Sequence, residues 1–151
     1  MKNQKGSVMK DKALIRVDSE GRWYYCDQEI IRKDIIKEFL NNLRTDDKGN
    51  YWIEWEGYKE PVEVEDTVFI VKWIEKKDDV FKIHLNDGTE EILDLDTFYL
   101  SSKGIPYCKV KDRKFPAKIS RLAFYQLGQY AFQIGENFVI RFKGKDYILN
   151  K

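Results

Sequence analysis

Two stretches of this chain carry nearly the same pattern. The eight residues NYWIEWEG begin at Asn50, and a related run, NFVIRFKG, begins at Asn137. Each run alternates apolar with other side chains and ends at a glycine, which predicts a strand followed by a turn. Ahead of each run lie an aromatic–Cys pair, a turn and a helix-like pattern, the pairs being Tyr25-Cys26 and Tyr107-Cys108. The order predicts two related β-hairpin/helix/β units that pack together, with a crevice between them where a ligand could bind.

Composition favours a folded, soluble protein. The 151 residues are 42% hydrophobic and 15% aromatic, which suits one domain or two small units sharing a core and excludes global disorder. The net charge of +1 gives no overall attraction to nucleic acid or to an anionic membrane. Residues 1–12 are polar and lysine-rich, so we expect a flexible tail and neither a signal peptide nor a membrane anchor. We therefore expect a cytoplasmic protein with reduced thiols and no membrane partner.

The hydrophobic pattern predicts an α+β fold with an N-terminal unit over 13–66 and a C-terminal unit over 67–151. In the first unit, apolar residues from Ile31 to Leu43 recur at helical spacing, and the turn residues 46–49 are expected to end that helix. In the second unit, 68–100 predicts an antiparallel meander with a hairpin turn at 86–89. Pro116 fits the first turn of a second helix, and Gly144 fits the turn of a final hairpin.

The chain lacks the patterns of common catalytic and metal sites. His84 is the single histidine, and strand alternation places it on a polar face beside Lys82. One histidine and two distant cysteines fall short of common zinc ligand sets. The sequence contains no nucleophile elbow, no Walker motif and no Rossmann glycine pattern. We therefore expect no metal and no cofactor, and the sequence favours a non-enzymatic protein without deciding the point.

Charge is unevenly distributed along the chain. Residues 46–66 hold eight acids and two lysines, and residues 101–122 hold seven bases and one acid. These segments are either two solvated faces or surfaces that meet each other or a charged partner. The basic segment 103–121 also contains Tyr107 and Phe115, and basic residues among aromatics can bind single-stranded nucleic acid. Nucleic-acid binding is therefore one alternative function.

Several motifs resemble the bacterial domain-of-unknown-function family 1285 (DUF1285). In the first half these are Asp18-x-x-Gly21-x-Trp23-x-Tyr25, an Ile31-Arg32 pair that opens a helix reaching Phe39, and Val62-Glu63-Val64-Glu65-Asp66-x-x-Phe69. In the second half they are Pro106-Tyr107-x-x-Val110 and Ala117-x-x-x-Arg121-x-x-Phe124-Tyr125-x-Leu127. The resemblance runs from about residue 14 to the end.

The resemblance implies a small α+β protein with two related halves, the later one loosely like a pleckstrin-homology domain. It implies no established activity, and it suggests a binding role in signalling. The turn Asn86-Asp87-Gly88-Thr89 departs from the hairpin of the family.

The resemblance and the residue pattern together define a candidate site. Arg32 and Arg121 fall at the starts or in the first turns of the predicted helices. Glu65 and Asp66 lead into a long strand, and Tyr125 follows Arg121 by one helical turn. In one interpretation the arginines pair with the acids and hold the two halves together. In the other, Arg32, Arg121 and Tyr125 line the crevice and bind an anionic or peptide-like ligand.

The leading function from sequence is a non-enzymatic, ligand- or protein-binding regulatory module with its site between the halves. Its partner would be a small anionic ligand or a protein, and the chain would be a monomer or a homodimer. The alternatives are an unrecognised enzyme that uses acidic and arginine residues of the crevice, and the single-stranded nucleic-acid binder.

Overall fold

The computed structural model describes residues 13–151 and the backbone of two short strands, β1 (Gln4–Lys5) and β2 (Ser7–Val8). The flexible tail predicted for 1–12 otherwise lies outside the described residues. The chain divides into two compact units, unit 1 over 1–65 and unit 2 over 66–151. Within the described part, no helix is both long enough and apolar enough to span a bilayer.

Unit 1 is built on a six-stranded sheet with the order β5-β4-β3-β8-β7-β6. Two antiparallel meanders join through the parallel pair β3–β8, in which Ile15 faces Val62. Within residues 13–65, one helix, α1, links the two meanders. The elements are β3 (Ile15–Val17), β4 (Trp23–Tyr25), β5 (Gln28–Glu29), α1 (Lys33–Asn41), β6 (Leu43–Thr45), β7 (Tyr51–Trp55) and β8 (Tyr58–Val64).

One face of the unit 1 sheet is apolar because alternate residues of each strand point to the same side. Its buried side chains are Ile15, Val17, Trp23, Leu43, Ile53 and Val62. Helix α1 packs on this face through Phe39, whose ring centroid lies 5.7 Å from that of Trp23 and 5.7 Å from that of Trp55. No residue of α1 is fully buried, so the helix covers the sheet without entering a deep core.

Unit 2 contains a six-stranded sheet with the order β11-β10-β9-β14-β13-β12 and a three-stranded sheet with the order β15-β16-β17. A 3₁₀ helix (Leu95–Thr97) links the two meanders of the larger sheet. The elements are β9 (Phe69–Lys77), β10 (Val80–Leu85), β11 (Glu90–Ile92), β12 (Tyr99–Leu100), β13 (Pro106–Val110), β14 (Phe115–Ile119), α2 (Arg121–Gly128), β15 (Phe132–Ile134), β16 (Asn137–Phe142) and β17 (Lys145–Ile148).

The two six-stranded sheets have the same topology. In each, a three-strand meander is followed by a second one, and the last strand pairs in parallel with the first. The parallel pairing begins at Val62 in β8 and at Ala117 in β14, and each is preceded by a proline. Neither Pro61 nor Pro116 removes a hydrogen bond from that pair, because each lies one residue before it begins. The predicted α+β fold with two related units is confirmed.

The predicted alignment of the two units differs from the observed one. Helix α1 lies between the two meanders of its sheet, whereas α2 follows β14, the last strand of its sheet. The two helices therefore occupy different positions in the repeat. The hairpins β7–β8 and β16–β17 are nevertheless alike. Glu56-Gly57 and Lys143-Gly144 occupy the two central positions of their turns, and all four residues adopt positive φ, as type I′ turns require.

Both predicted helices have different limits in the structure. Helix α1 ends at Asn41, and Leu43–Thr45 instead forms β6, where Leu43 pairs with Ile53 and is buried. The turn at 46–49 therefore joins β6 to β7 and does not end the helix. Pro116 lies in β14, and α2 begins at Arg121. A missing N–H is tolerated both at a helix start and at this point of the strand, so proline alone could not decide between them.

The two cysteines do not occupy matching sites. Cys26 is exposed in the β4–β5 turn, at φ 49°, and Cys108 is buried in β13. Both thiols are free. Burial raises the pKa of the Cys108 thiol to about 12, so this thiol stays protonated and unreactive at neutral pH.

Candidate functional site

Helix α2 is fixed to strand β9 by polar and apolar contacts. The Ser120 hydroxyl accepts the Ala123 N–H (3.1 Å) and donates to the Lys72 carbonyl (3.1 Å). The Ile74 N–H donates to the side-chain oxygen of Gln126 (2.8 Å), next to an irregularity in the β9–β10 pairing. Ala123 and Leu127 are fully buried. The helix therefore presents its other face from a well-held position.

The outer face of α2 carries two of the residues predicted for the site. Arg121 and Tyr125 lie one turn apart, and Leu122 lies between them on the exposed side. Tyr125 is 67% exposed and Leu122 is 56% exposed. Within the described part of unit 2, the Arg121 guanidinium has neither a hydrogen bond nor an ion pair. This face combines a free charge with exposed apolar surface; we call Arg121, Leu122 and Tyr125 the α2 face.

Asp66 has partners within unit 2 that the sequence did not indicate. Its two carboxylate oxygens each lie 3.0 Å from the Tyr107 hydroxyl, which donates to them, and the Lys118 ammonium lies 3.5 Å away. The Tyr99 ring stacks on Tyr107 with centroids 5.2 Å apart. Burial, with the hydrogen bond to Asp66, raises the pKa of the Tyr107 hydroxyl to about 12. Asp66 therefore anchors strands β13 and β14 to the start of β9.

The remaining two predicted site residues lie in unit 1. Arg32 precedes α1 and forms a two-pronged contact with Asp34, at 2.7 and 3.2 Å, on the exposed surface. This contact lowers the pKa of the Asp34 carboxyl. Glu65 is exposed, and its backbone N–H donates to the Val17 carbonyl (2.9 Å). It therefore stays a prediction that one site includes all five residues, namely Arg32, Glu65, Asp66, Arg121 and Tyr125.

Three cations of the basic segment are paired with acids inside unit 2. Lys111 contacts Asp87 at 2.9 Å, and Arg113 contacts Asp94 at 2.6 Å. Lys118 is the partner of Asp66 described above. These pairs neutralise part of the local charge, so the positive surface available to a phosphate backbone is smaller than the sequence count indicates. Three exposed lysines remain, namely Lys103, Lys109 and Lys114.

The single histidine packs on an aromatic ring. The imidazole of His84 stacks on Trp73 with ring centroids 4.3 Å apart, and its Nε2 lies 2.7 Å from a carboxylate oxygen of Glu75. Residues 13–151 contain no group of three or more His, Cys, Asp or Glu side chains arranged to hold a metal ion.

Several of these contacts were missed from the sequence. Tyr107 and Asp66 are 41 residues apart, and Gln126 and Ile74 are 52 residues apart. Hydrophobic periodicity reports local structure only, so no local signal predicts either contact. One usable signal was present: the four-residue runs Pro61-Val62-Glu63-Val64 and Pro116-Ala117-Lys118-Ile119 share a pattern and mark equivalent strands.

Known structures share this architecture. A DUF1285 family protein from Silicibacter pomeroyi DSS-3 matches with a TM-score of 0.78 at 19% sequence identity, over 92% of this chain and 80% of the other. A DUF1285 family protein from Shewanella baltica OS155 matches with a TM-score of 0.65 at 20% identity, over 76% of this chain and 90% of the other. No protein-family model matches the sequence, and no curated protein matches it significantly.

Both structural neighbours bear the name of a domain family of unknown function, so they support a fold and no activity. The resemblance drawn from the sequence motifs is confirmed at that level. The chain has a DUF1285-like fold.

Proposed function

We propose that this protein is a non-enzymatic binding module that recognises an acidic segment of a partner protein through the α2 face. The observation that carries the proposal is the Arg121 guanidinium, which has no acidic partner in the described part of unit 2 and lies beside exposed Leu122 and Tyr125. Arginine and tyrosine are enriched among the residues that dominate binding energy at protein interfaces.

The chemistry of the α2 face suits a carboxylate next to an apolar side chain. A guanidinium can make two parallel hydrogen bonds to one carboxylate, and Leu122 and Tyr125 offer apolar surface beside it. The helix is held by the Ser120 cap and by the bond from Ile74 to Gln126, so little ordering of the helix is needed on binding.

The test is a selection of random displayed peptides on the full chain, followed by affinity measurements. We expect enriched peptides to carry Asp or Glu beside an apolar residue. Arg121→Ala should weaken their binding by about tenfold, and Tyr125→Ala by a similar factor. The control is Arg141→Ala, because Arg141 is also an exposed arginine but is already paired with Asp146 at 2.8 Å. This control should leave the affinity unchanged.

Two results would contradict the proposal. The first is a set of selected peptides without any enriched acidic residue. The second is an Arg121→Ala variant whose affinity for the peptides changes no more than that of Arg141→Ala. A thermal-shift screen with nucleotides and acidic metabolites covers the small-ligand alternative. A shift that Arg121→Ala abolishes, without any peptide binding, would assign the same face to a small anion.

We further propose, as the sequence suggests, that Arg32, Glu65 and Asp66 belong to the same site, at the interface of the two halves. Arg32→Ala should then weaken the selected peptides as Arg121→Ala does. Arg22→Ala is the matched control, since Arg22 is a unit 1 arginine that pairs with Asp18 at 2.9 Å. Equal affinities for wild type and Arg32→Ala would limit the site to the α2 face.

A further inference from the structure

An open groove of about 390 Å³ lies in unit 2, and none of its lining residues belongs to α2. Its walls come from strand β11, the segment after it, strand β13 and the β13–β14 turn. The lining residues are Glu91, Ile92, Asp94, Lys109, Asp112 and Arg113. Pockets that hold small ligands begin at about this volume.

The turn that forms one wall is held in a defined conformation. Lys111, Asp112 and Arg113 all have positive φ, at 56°, 58° and 63°. The Lys111 ammonium lies 2.9 Å from Asp87 and donates to the Thr89 hydroxyl oxygen at 2.9 Å. Left-handed conformation at three successive non-glycine residues is costly, so these contacts must fix it.

Three of the charged lining residues, Arg113, Asp94 and Glu91, are already engaged. The Arg113 guanidinium donates to both carboxylate oxygens of Asp94, at 2.6 and 3.2 Å. The Glu91 carboxylate accepts the backbone N–H of Lys111 at 3.2 Å. Both contacts hold their side chains against the groove wall before any ligand arrives.

Two further charges and one apolar side chain remain available. In residues 13–151, the side chains of Lys109 and Asp112 have no hydrogen bond and no ion pair. Ile92 is 56% exposed at the same groove. The lining thus offers an ammonium, a carboxylate and an apolar surface, and its charges of opposite sign nearly balance.

We propose that this groove binds a small zwitterion, an α-amino acid with an apolar side chain. The ligand carboxylate pairs with the Lys109 ammonium, the ligand ammonium pairs with the Asp112 carboxylate and with the free lone pairs of Glu91, and the side chain packs on Ile92. A simple anion or a simple cation would leave one of the two free charges without a partner, which is why both charges on one ligand fit best. The proposal is independent of the α2 face.

The test is a titration of the ¹⁵N-labelled full chain with leucine, followed by amide chemical shifts. We expect shifts at residues 91, 92, 109, 112 and 113. N-acetylleucine lacks the positive charge and leucinamide lacks the negative one, so each should bind about tenfold more weakly than leucine. Lys109→Gln and Asp112→Asn should each weaken leucine by a similar factor. Asparagine tolerates the positive φ of position 112, so this variant keeps the turn.

The matched control is Lys103→Gln, which removes an exposed lysine outside the groove and should leave leucine binding unchanged. The proposal is overturned if leucine at about 10 mM shifts none of these amides, because the dissociation constant would then lie above about 10 mM. It is also overturned if leucinamide or N-acetylleucine binds as well as leucine, because the groove would then recognise a single charge.

Discussion

The two six-stranded sheets share one strand order and are covered in different ways. In unit 1 the apolar face of the sheet is covered by α1, which lies between the two meanders in the chain and has no fully buried residue. In unit 2 the cover includes α2, which follows the last strand and buries Ala123 and Leu127. The three-stranded sheet adds to it, since the rings of Phe81 in β10 and Phe142 in β16 lie 6.0 Å apart.

The difference shows that strand order and core depth are separate properties of this fold. The parallel pair in the middle of each sheet fixes the order, whereas the elements that pack on the sheet decide how much apolar surface is removed from water. Unit 2, in which α2 and the three-stranded sheet pack on the larger sheet, has the larger core. We therefore expect helix substitutions in unit 2 to cost more than matched ones in unit 1.

The largest expected effect is the truncation of a buried helix leucine. Leu127→Ala in α2 should lower the free energy of unfolding by about 3 kcal/mol, because the side chain is fully buried and leaves a cavity. Leu40→Ala in α1 should cost about 1 kcal/mol, because that side chain is only half-buried. Urea unfolding of both variants measures the two losses of unfolding free energy. Equal losses would contradict the expectation that α2 is packed more deeply than α1.

The next effect comes from the bond between α2 and β9. Gln126→Ala leaves the buried Ile74 N–H without its acceptor and should cost about 2 kcal/mol. Hydrogen exchange at the Ile74 amide should accelerate in the same variant. Gln129→Ala is the matched control, because the Gln129 amide makes only a long contact (3.4 Å) to its own helix, and it should cost under about 0.5 kcal/mol. Similar losses for the two glutamines would rule out an anchoring role for Gln126.

The contact between Tyr107 and Asp66 should give unit 2 an alkaline signature. Burial and the hydrogen bond to Asp66 together raise the folded pKa of Tyr107 to about 12, above its unfolded value of roughly 10. The stability linked to this protonated hydroxyl is therefore fully present below pH 10 and is lost as the pH rises from about 10 to about 12. Tyr107→Phe should cost about 1 kcal/mol at pH 7 and should flatten the alkaline loss.

Tyr58→Phe is the comparison in unit 1, because the Tyr58 hydroxyl donates to Glu60 at an exposed position. It should leave the unfolding curves at pH 7 and at pH 11 nearly unchanged. If Tyr107→Phe retains the full alkaline loss of the wild type, the loss has another origin.

The smallest expected effects concern the helix caps. Ser120 caps α2 with its side chain, whereas Arg32 at the same position of α1 makes no such bond. Ser120→Ala should therefore cost about 1 kcal/mol, and Arg32→Ser should add about 0.5 kcal/mol, reduced by the loss of the contact with Asp34. Helix content from circular dichroism and urea midpoints measure both. A stabilising Ser120→Ala would show that the cap is not formed in solution.

Local patterns predicted the local structure well. The alternation from Tyr51 to Trp55 gives β7, and the glycines at 57 and 144 give the two type I′ turns. The helices were less predictable at their ends, because Leu43 suits both a helix stripe and a buried strand and only its pairing with Ile53 decides. Pro116 was misassigned for the same reason: both environments tolerate a missing N–H.

The candidate site was predictable only where it is local. Arg121 and Tyr125 lie one turn apart in α2, as their spacing indicated. Two other features of the site depend on which strands are neighbours. Asp66 is held by Tyr107 and Lys118, and Arg121 has no acid beside it in unit 2. Sequence spacing carries no information about such contacts, because they join residues tens of positions apart.

The most direct test of the shared topology is the pattern of backbone nuclear Overhauser effects across the two parallel pairs. We expect parallel cross-strand contacts that place Arg16 opposite Glu63 and Ile70 opposite Lys118 in the same preparation. A parallel pattern in one sheet with an antiparallel or absent pairing in the other would contradict it.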